Sequence, residues 1–81
     1  MAISVTFFGF QRKLTQTECI HLPLLKEMRV ADVFDTIKEK YPELSLSRDN
    51  ILITVNDQVS FHDRTLEAED RICFIPHIGG G

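Results

Sequence analysis

The stretch V30-ADVFDTIKEK-Y41, residues 30–41, carries a clear helical period, and the prediction of the fold starts from it. Its apolar residues recur at i, i+3, i+4, i+7 and i+11, which is one stripe of a helix: Val30, Val33, Phe34, Ile37 and Tyr41. Asp32 near the start and the lysines near the end suit the helix dipole. Pro42 disfavours continuation, because it biases the residue before it away from the helical region. We predict a helix over residues 30–41 whose first flanking residue, Arg29, is a poor cap.

Strand patterns occupy the chain before this helix. In residues 3–10, ISVTFFGF, one set of apolar side chains alternates onto one face and Phe8 and Phe10 point to the other. Residues 11–14 are mostly polar and predict a turn. Residues 18–22 alternate again, with Ile20 and Leu22 as apolar partners. The short spacing between the two segments predicts a hairpin.

Further strand patterns follow the helix. Residues 51–55, ILITV, are β-branched and compact, and Asn56-Asp57 is a turn signal. Val59 and Phe61 predict a short fourth strand. The acidic residues 67–70 form a break that we interpret as a solvated turn. Residues 71–75 predict a last strand, which Pro76 should keep from continuing in a regular ladder.

The order of elements predicts an α+β fold, a mixed sheet packed on one main helix. Seven residues should share one core: Val5, Phe7, Val33, Phe34, Ile37, Ile72 and Phe74. One helix covers only one side of a sheet. If the first and last strands are neighbours, an apolar group should therefore lie on the open side: Phe8, Phe10, Cys73 and Ile75. Such a cluster is a larger apolar surface than a monomer normally exposes to water, so it predicts a docking surface.

Composition limits the classes of function. The chain has 81 residues, 43% of them hydrophobic, and a net charge of −3. This length fits one small domain, and the charge argues against nucleic acid as a partner. No apolar run is long enough to span a bilayer, and the first residues lack the features of a signal peptide. We therefore expect a cytoplasmic domain without a membrane partner.

Residues suited to catalysis are few. The serines belong to no nucleophile motif, and no glycine-rich loop precedes a helix. Cys19 and Cys73 lie in predicted strands, where they are expected to be small, half-buried residues without catalytic roles. They also lack metal-ligand spacing with the histidines, of which His21 and His62 are expected at the surface. We predict no metal site and no bound cofactor.

The end of the sequence is different. In residues 74–81, FIPHIGGG, a predicted strand stops at a proline, and the last three residues are glycines, which have no side chain. Glycine has no Cβ and large backbone freedom. We predict a domain over residues 1–77 and a flexible tail over residues 78–81, made of Ile78, Gly79, Gly80 and Gly81. From Pro76, six extended residues span about 20 Å, enough to enter a narrow tunnel in another protein.

Together these segments resemble a family. The resemblance rests on the following features: the double aromatic within Val5–Gly9 with Arg12 and Leu14, the helix from Val30, Val55-Asn56, Leu66, Asp70, and the end from Phe74 to Gly81. The chain resembles the ubiquitin-like β-grasp sulfur carriers, most closely the small subunit of molybdopterin synthase. It departs from them at Ala68-Glu69, where a glycine is usual, at the helix start, and at His77 and Gly79.

The resemblance implies a function for the tail. An E1-like adenylyltransferase would use ATP to adenylate the carboxyl of Gly81, which is the catalytic position, and a sulfur donor protein would convert it to a covalent thiocarboxylate. The large subunit of molybdopterin synthase, in a heterotetramer, would use that sulfur to build the dithiolene of molybdopterin. The partner-binding residues are expected to be Phe8, Phe10, Arg12, Ile75, Pro76 and His77.

Other functions stay open from the sequence. The same tail would serve a sulfur carrier for thiamine, cysteine or another sulfur metabolite. It would also serve a ubiquitin-like modifier that forms isopeptide bonds to lysine, and an interaction domain could carry such a tail without using it.

Overall fold

The computed structural model describes residues 1–49 and 51–76. Within them the elements follow in the order β1 (Ala2–Thr6), α1 (Phe10–Thr15), β2 (Cys19–Pro23), α2 (Val30–Lys40), a 3₁₀ turn (Pro42–Leu44), β3 (Ile51–Val55), β4 (Gln58–Val59) and β5 (Arg71–Pro76). The predicted tail and His77 lie outside the described residues. No helix of the described chain is long and apolar enough to cross a membrane.

The strands form one mixed sheet in the order β2-β1-β5-β3-β4. The first and last strands are parallel neighbours at its centre, with Ser4, Val5 and Thr6 opposite Arg71, Ile72 and Cys73. β2 pairs antiparallel with β1, and β3 pairs antiparallel with both β5 and β4. This is the α+β arrangement that the sequence predicts, a mixed β-grasp sheet with one main helix.

The seven predicted core residues are all buried. They belong to a larger cluster that also contains Ile3, Val30, Ile53, Val55 and Leu66. Phe34 on α2 contacts β5 directly, because its ring lies 5.8 Å from that of Phe74 in an edge-to-face arrangement. The predicted stripe of α2 therefore packs on the sheet face that carries Ile72 and Phe74.

Helix α2 begins as predicted, and a residue of its first turn bonds the residue before the helix. The Asp32 carboxylate accepts a hydrogen bond from the Arg29 backbone N–H at 2.8 Å. In return the Asp32 N–H donates to the Arg29 carbonyl oxygen at 3.0 Å. Asp32 thus supplies the carboxylate half of a capping box, and its charge also suits the positive end of the helix dipole. The first two N–H groups of the helix, those of Val30 and Ala31, donate to backbone carbonyl oxygens outside it.

The prediction of a strand over residues 3–10 was wrong beyond Thr6. The chain leaves the sheet after β1, and residues 10–15, of which 11–14 were predicted to be a turn, form the short helix α1. Gly9 lies at φ 54° and ψ −131°, a conformation suited to glycine, immediately before the helix. A backbone break of this kind ends the strand period even though the aromatic pattern continues through it.

Three smaller predictions in the second half also need correction. β4 covers Gln58–Val59 and does not reach Phe61, and β5 continues through Pro76, whose Cα lies opposite that of Ile51. The acidic segment is not fully solvated. Asp70 is 6% exposed, and its carboxylate accepts hydrogen bonds from the Asn56 side chain and the Glu67 backbone.

Candidate docking site beside the end of the last strand

The last strand ends between β3 and the segment that follows β1. On one side its residues pair with β3, with Ile75 opposite Leu52. On the other side the parallel ladder with β1 stops at Cys73 opposite Thr6. Residues 74–76 therefore lie beside the loop and helix that follow β1. This region contains most of the residues for which the sequence predicts partner binding.

A buried glutamine joins helix α1 to the last strand. Gln11 is 2% exposed, and its Nε2 group donates to the Phe74 carbonyl oxygen at 2.9 Å. Its Oε1 atom accepts a hydrogen bond from the Phe8 backbone N–H at 3.2 Å. The same carboxamide thus fixes both the segment that carries the exposed aromatics and the strand that leads to the tail.

Large apolar side chains remain exposed around this junction. Phe8 is 49% exposed, Phe10 58%, and Ile75 38%. The neighbouring Leu14 and Leu52 are also exposed. Phe7, by contrast, is 1% exposed and belongs to the core. We call Phe8, Phe10, Arg12 and Ile75 the docking rim.

The charged member of the docking rim already has a partner. The Arg12 guanidinium lies 3.1 Å from the Glu18 carboxylate, and both side chains are largely exposed. Exposed pairs of this kind stabilise a fold by only about 0–1 kcal/mol, so Arg12 can exchange Glu18 for a charge on another protein at small cost. Arg12 is therefore placed to act as a charge beside the apolar part of the docking rim.

The sequence matches a protein-family model over almost its whole length. Residues 5–81 match the ThiS family. The chain belongs to the ThiS family. A search of curated proteins found no match to it.

Solved structures share the fold of this ThiS-family chain at low sequence identity. SAMP1 from Haloferax volcanii has 16% identity and a TM-score of 0.82, with full coverage of both chains. A putative molybdopterin converting factor subunit 1 from Pyrococcus furiosus has 21% identity and a TM-score of 0.82, with 96% of this chain and 99% of that one covered. A complex of subunits 1 and 2 of the molybdopterin-converting factor from Helicobacter pylori gives 22% identity, a TM-score of 0.67 and full coverage of both chains.

Cys73 is more deeply buried than the half-buried position expected from the sequence. Its position in β5 alternates with Ile72 and Phe74, but the residue is 7% exposed. Burial raises the pKa of the Cys73 thiol, which favours the neutral form. A thiol that stays protonated is a poor nucleophile.

His62 is less exposed than the sequence suggests. Its ring stacks edge-to-face on Phe34 at 5.2 Å, and its Nδ1 atom is buried without a hydrogen-bond partner among the described residues. Burial lowers the pKa of His62, and the nearby Arg48 charge lowers it further. This histidine is a structural neighbour of the core, away from the docking rim.

The residue that sequence reasoning missed is Gln11. A glutamine between two aromatic residues and a basic pair looks like an ordinary turn or surface position, and no periodicity marks it as buried. The one local signal of a change in structure is Gly9, two residues before Gln11, because glycine tolerates a backbone that ends a strand pattern. Among the described residues no cluster of three or more His, Cys, Asp or Glu side chains is arranged to hold a metal ion. The candidate site within the described residues is the docking rim, and Gly81, the predicted reactive residue, lies outside them.

Proposed function

We propose that this chain is a sulfur carrier whose Gly81 carboxyl is converted to a thiocarboxylate by partner enzymes. The observation that supports this most strongly is the family match, which extends through residue 81 and so includes the glycine tail. The docking rim supports it as well, since it surrounds the end of the strand from which that tail continues. Arg12 is the one charged side chain of the rim, and the rim contains no acid–base pair. The chemistry is therefore assigned to the partners.

Activation is needed because a carboxylate resists attack by nucleophiles. An E1-like adenylyltransferase would let a Gly81 carboxylate oxygen attack the α-phosphate of ATP, with pyrophosphate as the leaving group. The terminal sulfur of a donor persulfide would then attack the carbonyl carbon, and AMP would leave. A thiol of the donor or of the adenylating enzyme would cleave the resulting acyl disulfide, forming a protein disulfide and releasing the thiocarboxylate.

We propose molybdopterin synthesis as the pathway. The two adjacent aromatic residues that follow β1 and the length of the chain favour this branch of the carriers. Phe7 supports the core and Phe8 is available to a partner, so the two rings have different environments. The large synthase subunit would dock on the rim, accept the tail and transfer sulfur to a cyclic pterin.

The test is reconstitution with purified proteins. The chain is incubated with ATP, a persulfide donor and the adenylating enzyme of the same organism, and its intact mass is measured. We expect the mass increase that corresponds to replacing one oxygen with sulfur. The charged chain is then added to the large synthase subunit and precursor pterin, and dithiolene formation is measured. Sulfur loading without transfer to the pterin would support a carrier for another metabolite.

A protein modifier is the competing function, and the likeness to small archaeal modifier protein 1 from Haloferax volcanii is the observation that favours testing it. Intact mass analysis of the protein isolated from its own cells separates the two functions. High-mass adducts on lysine would support a modifier. If the protein isolated from cells that make molybdopterin carries neither a thiocarboxylate nor lysine adducts, that result would contradict the proposed function.

A further inference from the structure

The contact between Gln11 and the last strand lies where the parallel ladder should continue. The Ser4 N–H donates to the Asp70 carbonyl oxygen at 2.9 Å. Donors on one side of a strand recur every two residues, so the Phe8 N–H should meet the Phe74 carbonyl two rungs later. Consistently, the Phe7 N–H points to the other side of the strand and donates to the backbone carbonyl oxygen of Glu18 at 2.8 Å.

The two backbone groups do not meet directly, because the Gln11 carboxamide lies between them. The Phe8 N–H donates to Oε1 at 3.2 Å, and Nε2 donates to the Phe74 carbonyl at 2.9 Å. We call this bridge the Gln11 rung. It continues the hydrogen bonding of the sheet while letting β1 separate from β5 by the width of one amide. That separation gives the chain room to turn at Gly9 into α1.

The Gln11 rung is buried and specific. Gln11 is 2% exposed, so breaking either bond leaves a buried polar group without a partner, which is costly. A glutamine both accepts and donates through one planar group, and the rung uses both functions. A methionine has a similar length but can replace neither bond, and a glutamate can replace only the bond to Phe8.

The position of the rung connects it to sulfur transfer. Past Cys73, β5 has no paired β1 residue, and in the described chain Gln11 supplies the side-chain bond to the Phe74 backbone. The next residue, Ile75, belongs to the docking rim, and the chain then continues toward Gly81. The rung therefore fixes two things relative to each other, the aromatic part of the rim and the strand from which the tail starts.

We propose that Gln11 is a positioning residue for sulfur loading, because its carboxamide sets the distance between the docking rim and the start of the tail. This proposal rests on the proposed function. A partner that holds the rim and also holds the tail extended in a tunnel places Gly81 at a position set by that fixed distance, and reacting atoms must approach to about 3–3.5 Å. A shift of about 1 Å at the rung can therefore lower the rate even where the partner still binds, by up to about 100-fold.

The experiment compares Gln11→Met, Gln11→Glu and the control Gln58→Met, which changes an exposed glutamine on β4. Single-turnover thiocarboxylate formation is measured with saturating adenylating enzyme, ATP and persulfide donor, and circular dichroism checks that each variant is folded. We expect Gln11→Met to lower the saturated rate by about 10–100-fold. Its Kd for the adenylating enzyme should change less than the rate. Gln58→Met should behave as the wild type.

Amide hydrogen exchange tests the rung independently of sulfur chemistry. The Phe8 N–H should be protected in the wild type and in Gln11→Glu, which keeps the acceptor, and exchange at least about tenfold faster in Gln11→Met. A Phe8 amide of the wild type that exchanges like an exposed loop would overturn the rung. If Gln11→Met does not fold, Gln11→Glu decides the rate at a pH above the pKa of its carboxyl, because the ionised carboxylate cannot donate to the Phe74 carbonyl. A folded Gln11 variant with wild-type saturated loading would overturn the positioning role.

The two proposals fail in different ways. If the wild type forms no thiocarboxylate with any adenylating enzyme of its organism, the proposed function fails and the exchange result still reports on the rung. If the wild type is loaded and the folded Gln11 variants are loaded equally fast, the carrier function stands and the positioning role of Gln11 fails.

Discussion

Truncation of Phe8 to Ala is the sharpest test of the docking rim. A phenylalanine side chain presents about 200 Å² in total, and Phe8 is 49% exposed. A partner that covers the exposed part would bury about 100 Å², worth about 2.5 kcal/mol at about 25 cal/mol per Å². Alanine keeps a small part of that contact. We expect Phe8→Ala to weaken binding by about 2 kcal/mol, or about 30-fold in Kd.

The same change should cost less in folding. The buried half of the ring has a similar area, but the unfolded chain already buries part of it, so we expect a loss of about 1.5 kcal/mol in the free energy of unfolding. A small domain with about 5 kcal/mol or more of stability remains folded after such a loss. A binding defect in Phe8→Ala can therefore be measured on a native protein.

The assay is calorimetric titration with the adenylating enzyme and, separately, with the large synthase subunit. The control is Phe61→Ala, because Phe61 is 76% exposed and follows β4, which lies two strands from β5 at the edge of the sheet. Wild-type affinity of Phe8→Ala for both partners would refute the reasoning, and so would an equal loss in Phe61→Ala. Unfolding of Phe8→Asp would show that Phe8 belongs to the core.

Four further predictions follow from individual residues. Phe34→Ala should lower the free energy of unfolding by about 3–5 kcal/mol in urea denaturation, because the ring is 2% exposed and packs on Phe74; a cost near zero would remove it from the core. Acidification below 6.5, the ordinary pKa of histidine, should destabilise the protein, because the lowered pKa of His62 makes the folded chain bind fewer protons than the unfolded chain. The stability difference between wild type and His62→Gln should depend on pH in this range, and a constant difference would contradict the shift. Glu69→Gly should raise the melting temperature and stabilise by about 0.5–1 kcal/mol, because Glu69 lies at φ 69°, while Ala68→Gly, at a position without a positive φ, should destabilise. Deleting Gly81 shortens the tail by about 3.3–3.6 Å, and adding a residue moves the terminal carboxyl beyond Gly81, so both variants should melt like the wild type and fail to form a thiocarboxylate by intact mass. Normal loading of the extended chain without trimming would show that Gly81 is not the site.

Much of the fold was predictable because short-range periods report burial directly. The stripe of α2 needs only the 3.6-residue repeat, and β3 and β5 need only alternation and β-branched composition, so their bounds were predicted to within a residue. The same alternation placed Ile72 and Phe74 in the core. The docking residues Phe8 and Ile75 followed from that argument, since large apolar side chains remained after the core face was assigned.

The alternation of apolar residues gave one wrong prediction, the extent of the first strand. The apolar pattern of residues 3–10 continues through Phe10, but β1 ends at Thr6, and Gly9, at a positive φ, comes immediately before α1. A pattern of side chains does not report the φ of a glycine. Phe8 and Phe10 are exposed as predicted, although they lie on a loop and a helix and not on a strand.

The sequence by itself determined the main helix, the strands, the apolar residues that bury between them and the glycine-rich end. The tertiary structure decided the contacts between residues far apart in the chain. Gln11 is buried because a carbonyl 63 residues later requires a donor, and Cys73 is buried although its position in the strand alternates away from the core. Asp70 is buried because Asn56 and the Glu67 backbone supply its hydrogen bonds. A polar residue is buried only where the folded chain offers it a partner, and no local pattern of side chains contains that information.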